Sequence, residues 1–74
     1  MAELELNLSG LNCPLPILRT KKALADVPSG TMLRIIATDP AAPEDFAQFC
    51  RQTGHTLCLS MQEGAQFVFE IKRK

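Results

Sequence analysis

Apolar and polar positions alternate at the start of the chain, with Leu4, Leu6 and Leu8 set against Glu3, Glu5 and Asn7. A period of two predicts a strand over residues 3–8 with one buried face. From residue 14 to 25 the period lengthens. Leu15, Ile17, Leu18, Leu24 and Ala25 recur at helical spacing while Arg19, Lys21 and Lys22 take the remaining surface, which predicts an amphipathic helix. Val27-Pro28-Ser29-Gly30 breaks it. Residues 31–38 are then apolar on both sides, Leu33, Ile35 and Ala37 against Met32 and Ile36, as expected of a strand inside a sheet.

Asp39-Pro40-Ala41-Ala42-Pro43 reads as the next turn, after which Glu44 and Asp45 charge a first helical turn and Phe46, Phe49, Cys50 and Thr53 form an i, i+3, i+4, i+7 stripe. Gly54 closes that helix. Two strands follow, residues 56–61 with Leu57, Leu59 and Met61 in phase, and residues 66–72 with Phe67, Phe69 and Ile71 in phase, joined by a hairpin at Gln62-Glu63-Gly64-Ala65. The order β-α-β-α-β-β predicts a two-layer α/β (α+β) sandwich, a four-stranded mixed sheet with both helices on one face. With 74 residues, 46% of them hydrophobic, the chain supports one small core, and 1–74 is read as a single domain.

Charge narrows the function classes. Eight basic and eight acidic residues cancel, so the broad phosphate neutralisation that nucleic-acid binders need has no source here, and direct nucleic-acid binding is not expected. The first residues, Met1-Ala2-Glu3-Leu4-Glu5, lack the basic start and unbroken apolar stretch of a signal peptide, and no apolar run is long enough to span a bilayer. A cytoplasmic location without membrane contact is the expectation. Thiols stay reduced there, so Cys13, Cys50 and Cys58 are not expected to form a structural bridge.

Cys13 has the most suggestive surroundings. It lies between the first strand and the first helix, followed by Pro14 and Pro16. Proline suits the first helical position, so Pro14 is expected at N1 and Cys13 at the N-cap. There the free N–H groups and the helix dipole would favour a reactive thiolate. The site also falls beyond the carboxyl ends of parallel strands, where α/β sheets gather their chemistry. Asp39 and Glu44 are expected at the same sheet edge, where a carboxylate close to the sulfur would oppose its ionisation.

Cys50 belongs to the Phe46/Phe49 stripe and reads as a small buried hydrophobe. Cys58 is out of phase with Leu57 and Leu59, which aims it at the sheet face away from the helices. His55, the sole histidine, follows Gly54 at the far end of the helical layer and so is not expected to serve Cys13 as a base. His55 and Cys58 would face opposite sides of a strand, which argues against a zinc site, and no Cys-x-x-Cys pair is present. No metal or cofactor is expected. Arg19, Lys21 and Lys22 flank the thiol on its own helix and form a candidate docking patch for a protein partner.

With these residues in place, the chain resembles the TusA/SirA-like sulfur carrier proteins, small domains marked by a Cys-Pro-x-Pro motif. Here the motif is Cys13-Pro14-Leu15-Pro16, preceded by Gly10-Leu11. The likeness continues through the Asp39-Pro40 turn, the Phe49-Cys50 pair and the closing hairpin. The resemblance implies that Cys13 accepts sulfane sulfur as a persulfide from a cysteine desulfurase or rhodanese-like donor protein and relays it to an acceptor protein. Such relays serve tRNA thiolation, molybdenum cofactor assembly, sulfur oxidation or selenium handling. It further implies a covalent carrier rather than a free-standing turnover enzyme, with Gly10, Pro14 and Pro16 supporting the thiol. Two other readings compete: an adaptor that binds a partner through an outer-face patch of Met32, Ile36, Cys58 and Val68, and a thiol redox sensor acting through Cys13.

Overall fold

The computed structural model describes residues 4–74, so Glu3, counted in the predicted first strand, lies outside the described residues. The elements are β1 (Leu4–Leu8), α1 (Leu15–Ala25), β2 (Met32–Ala37), α2 (Ala42–Thr53), β3 (Thr56–Glu63) and β4 (Gln66–Lys72). Residues apolar on both sides make β2 an interior strand. It pairs in parallel with β1 on one edge and antiparallel with β4 on the other, in a sheet ordered β1-β2-β4-β3. Because β3 is antiparallel to β4, it runs in the direction of β1 and β2. The connections through α1 and α2 therefore start from the same end of the sheet, and the β1–α1 and β2–α2 loops meet there.

The predicted layers are present. Leu33, Ile35, Ala37, Phe69 and Ile71 point from the sheet into a core shared with Leu24 of α1 and Ala42, Phe46, Phe49 and Cys50 of α2. Phe46 and Phe69, both fully buried, pack with ring centroids 4.6 Å apart, a contact worth about 0.5–1.5 kcal/mol beyond the area it buries. Gly54 ends α2 at φ 87°, its N–H donating to Cys50 O at 2.9 Å, a left-handed closure that only glycine adopts cheaply.

Two details depart from the periodicity. In α1 the buried face is Pro16, Thr20 and Leu24, spaced four apart, while Leu15 and Leu18 are 45% and 52% exposed. The helix leans on the sheet through a narrow stripe and turns two leucines outward beside its first turn. In the second departure, the β3–β4 register slips between Leu57 and Leu59, leaving Cys58 as the extra residue of a β-bulge. Beyond it the faces exchange. Leu57 pairs with core-facing Ile71, but Leu59 and Met61 pair with Glu70 and Val68 on the outer face, so the expected common phase of the three is broken. That face also carries Arg34, 3.3 Å from Glu70 and 3.9 Å from Glu5.

Thr20 is fully buried and its hydroxyl has no hydrogen-bond partner. Thr20→Val keeps the shape and removes the unpaired group, so we expect the denaturant midpoint to rise by an equivalent of about 1 kcal/mol. A fall in the midpoint would show that the hydroxyl is satisfied in solution.

Candidate functional site

The site is assembled by hydrogen bonds between the two loops at the shared sheet end. A turn over residues 8–11, closed by Leu11 N–H to Leu8 O at 3.2 Å, places Gly10 at φ 83°, and Gly10 N–H reaches across to Thr38 Oγ1 at 2.9 Å. Three residues later Cys13 N–H donates to Asp39 Oδ2 at 2.8 Å. The other oxygen of the same carboxylate accepts Ala41 N–H at 3.2 Å, and Asp39 O accepts Ala42 N–H at 2.9 Å at the start of α2. Asp39 thus organises its own loop and clamps the neighbouring one.

The predicted capping geometry is corrected by one residue. Pro14, not Cys13, occupies the N-cap of α1; Leu15 is the first helical residue and Pro16, buried, the second, and the Cys13–Pro14 peptide is cis. The amide environment is corrected too. From residue 13 to 16 no N–H is free for an anion: Cys13 N–H is held by Asp39, Leu15 N–H donates to Asn12 O at 2.9 Å, and Pro14 and Pro16 have none.

Cys13 is exposed, yet its sulfur sits among carboxylates. Its Sγ and oxygens of Asp39 and Asp45 all lie within 4.8 Å of one another. The thiol pKa is raised rather than lowered: a hydrogen bond to Asp45 is the largest cause, followed by partial desolvation and the charges of Asp45 and Asp39. This direction runs against the expected thiolate. Asp39 was foreseen at this edge, and Asp45 takes the place expected of Glu44. Helix α2 begins at Ala42, two residues earlier than the first charged turn suggests, and Asp45 rather than Glu44 then faces α1.

From Cys13 a groove of about 270 Å³ runs between the helices, lined by Cys13, Pro14, Ile17 and Lys21 on one side and Asp45, Gln48, Phe49 and Gln52 on the other. A second hollow of about 220 Å³ shares Lys21, Phe49 and Thr53 with it and reaches His55 and Arg73. Of the three candidate docking cations only Lys21 lines the groove; Arg19 and Lys22 are exposed outside it, near Leu15 and Leu18.

Cys50 is buried, as expected, and burial pushes its thiol pKa up, with Cys58 adding to the effect. Cys58 is exposed but belongs to the bulge of an edge strand within electrostatic reach of Cys50, so it is not fixed on the outer face as the alternation implied. The outer-face patch accordingly loses Cys58, and Leu59 and Met61 stand with Ile36 and Val68 instead. His55 remains at the other end of α2, its Nδ1 accepting Lys74 N–H at 2.9 Å. Cys50, His55 and Cys58 do not converge. Around Cys13, Asp39 gives each carboxylate oxygen to a backbone N–H group, and its carboxylate, that of Asp45 and the sulfur form one cluster.

The profile of the family described as Sulfurtransferase TusA matches residues 4–73. A sulfur carrier protein TusA from Allochromatium vinosum is 55% identical over 69 residues, covering 93% of this chain and 91% of its own length. Another, from Pseudomonas syringae pv. syringae, is 37% identical over 70 residues, covering 95% and 83%. Among solved structures, a SirA-like protein from Desulfitobacterium hafniense superposes with a TM-score of 0.82 over 93% of this chain and 95% of its own, at 18% identity, a likeness of fold.

Two measurements check the geometry. Asp39→Ala removes the acceptor of two backbone N–H groups and is expected to cost about 1–2 kcal/mol in denaturant unfolding. An unchanged midpoint would mean the clamp is not populated. The His55 pKa is lowered, first by burial and then by the charges of Arg73 and Lys74. A depressed folded pKa contributes stability above the ordinary histidine value of about 6.5 that is lost as pH falls. The thermal midpoint is therefore expected to drop between about pH 7.5 and 5.5, and by less in His55→Gln. Equal drops would exclude the histidine as a cause.

Proposed function

Because the chain belongs to the TusA family of sulfurtransferases, its function is that of a sulfur carrier, and we propose that Cys13 is the sulfur-bearing residue. The observation that carries this assignment is the placement of the motif cysteine: exposed at the mouth of the interhelical groove, held by its own backbone, with no histidine near it. In the transfer, the Cys13 thiolate attacks the terminal sulfur of a donor persulfide, the donor's S–S bond breaks, and its thiolate leaves. Cys13 is left as a persulfide with no net oxidation or reduction. At an acceptor thiol the same step runs onward. Two other proteins supply the donor and the acceptor, and a site open to both suits this better than an enclosed pocket.

Leu15 and Leu18, exposed beside the motif, join Arg19, Lys21 and Lys22 in a docking rim with an apolar centre and a basic border. Pro14 forms the wall of the groove at the sulfur and Pro16 anchors the turn in the core side of α1. In this reading the whole chain, 1–74, acts as one carrier domain in the cytoplasm. Its donor is a cysteine desulfurase or rhodanese-like protein, and its acceptor belongs to a pathway such as tRNA thiolation, molybdenum cofactor assembly or sulfur oxidation. Among the described residues no helix is long and apolar enough to cross a membrane.

Incubation with a cysteine desulfurase and cysteine, followed by intact-mass measurement, is expected to show the added mass of one sulfur atom that dithiothreitol removes and that Cys13→Ser lacks. Retention of that sulfur in Cys13→Ser would overturn the assignment. Leu18→Glu, at an exposed position, is expected to slow loading without shifting the melting temperature.

A further inference from the structure

Cys13 Sγ faces two carboxylates within 4.8 Å, and these are not equivalent. Both oxygens of Asp39 are engaged by the N–H groups of Cys13 and Ala41, so its place and charge are absorbed by the loop it organises. Asp45 lies in the first turn of α2 and lines the groove together with Cys13. Among the described residues the ion pairs are those of Arg34, on the other side of the sheet, and neither Asp39 nor Asp45 is paired with a lysine or arginine. The titratable groups around the sulfur are Asp39 from the loop after β2, Asp45 from α2, and Lys21 from α1, which lines the same groove.

We propose that Asp45 is a positioning residue that keeps the Cys13 thiol protonated in the free protein, so that the sulfur becomes nucleophilic when a positive charge is brought to that carboxylate. The proposal deepens the carrier assignment and rests on Cys13 being the working thiol. Ionisation of Cys13 beside Asp45 sets a thiolate against a carboxylate within 4.8 Å, close enough for the repulsion to oppose it. The upward direction of the thiol pKa agrees with this arrangement. A cation at Asp45 cancels the repulsion and lets the thiol release its proton to solvent. The thiolate then attacks the terminal sulfur of the donor persulfide, and the departing donor thiolate takes up a proton, so that one thiol and one persulfide give one persulfide and one thiol. An unpartnered carrier is meanwhile a poor target for oxidants, whose attack requires the thiolate.

The test uses the full chain carrying Cys58→Ser, with residue 45 as Asp, Asn or Lys, the lysine supplying in the same chain the cation that a partner would bring. Alkylation of Cys13 by iodoacetamide, which is neutral and not steered by charge, is followed against pH by mass spectrometry of the Cys13 peptide. The pH midpoint is expected to fall in the order Asp, Asn, Lys, the rate at neutral pH rising by about tenfold for each unit of the fall, while the plateau at high pH does not rise. Coincident midpoints, any other order, or a plateau that rises with the neutral-pH rate would overturn the proposal, the last because it marks steric shielding instead of charge. Asp45→Asn preserves shape, so it decides the matter alone if the lysine variant does not fold. Sulfur loading is scored separately. Midpoints that move in a protein that takes no sulfur sink the carrier assignment and leave the thiol control standing, and loading with unmoved midpoints does the reverse.

Discussion

One carboxylate ties together the two loops at the shared end of the sheet. Asp39 accepts N–H groups from two loops that are close only because β1 and β2 are parallel and in register, Leu8 opposite Ala37 at their carboxyl ends. Parallel pairing brings both helices off the same edge, and the carboxylate converts that adjacency into a fixed relation between Cys13 and the start of α2. Each bond is worth only about 1 kcal/mol net, but the site needs position more than strength. Without the clamp, the thiol would sit on a loop free to move past the groove.

The apolar architecture supporting this edge is economical. The core centres on Phe46 against Phe69, with Leu33, Ile35 and Ile71 filled in around them. α2 contributes most of the helical share, whereas α1 commits only Pro16, Thr20 and Leu24 to full burial. A domain of this size has little burial to spare. Leu15 and Leu18 nevertheless stand in water next to the motif cysteine, apolar area that the fold itself does not use.

Much of the fold was legible because it follows strict periods. Alternation along 4–8 and 66–72, the two-sided apolar run of 32–37 and the Phe46/Phe49/Cys50 stripe each carry their meaning in the spacing alone. The failures came where spacing is interrupted. A single extra residue at Cys58 moves Leu59 and Met61 to the opposite face, and no local residue type announces a bulge. The leucines of α1 satisfied a helical period but not the direction of the sheet, which only tertiary packing sets. The exposure of Cys13 at the loop before α1 was legible from its prolines. The approach of Asp45 was not, because it depends on where α2 begins and how it packs against α1, and that closeness pushes the thiol pKa up where a helix terminus alone would lower it.

The stretch from residue 13 to 16 has two N–H groups already engaged and two prolines that have none. Enzymes that stabilise a charged atom for chemistry surround it with amide donors; residues 13 to 16 offer none. A sulfur atom attached there would be secured by its single covalent bond and by little else, so no network of contacts must be dismantled before it departs. If Cys13 bears the sulfur, as proposed, such loose custody would leave the direction of flow to the proteins on either side.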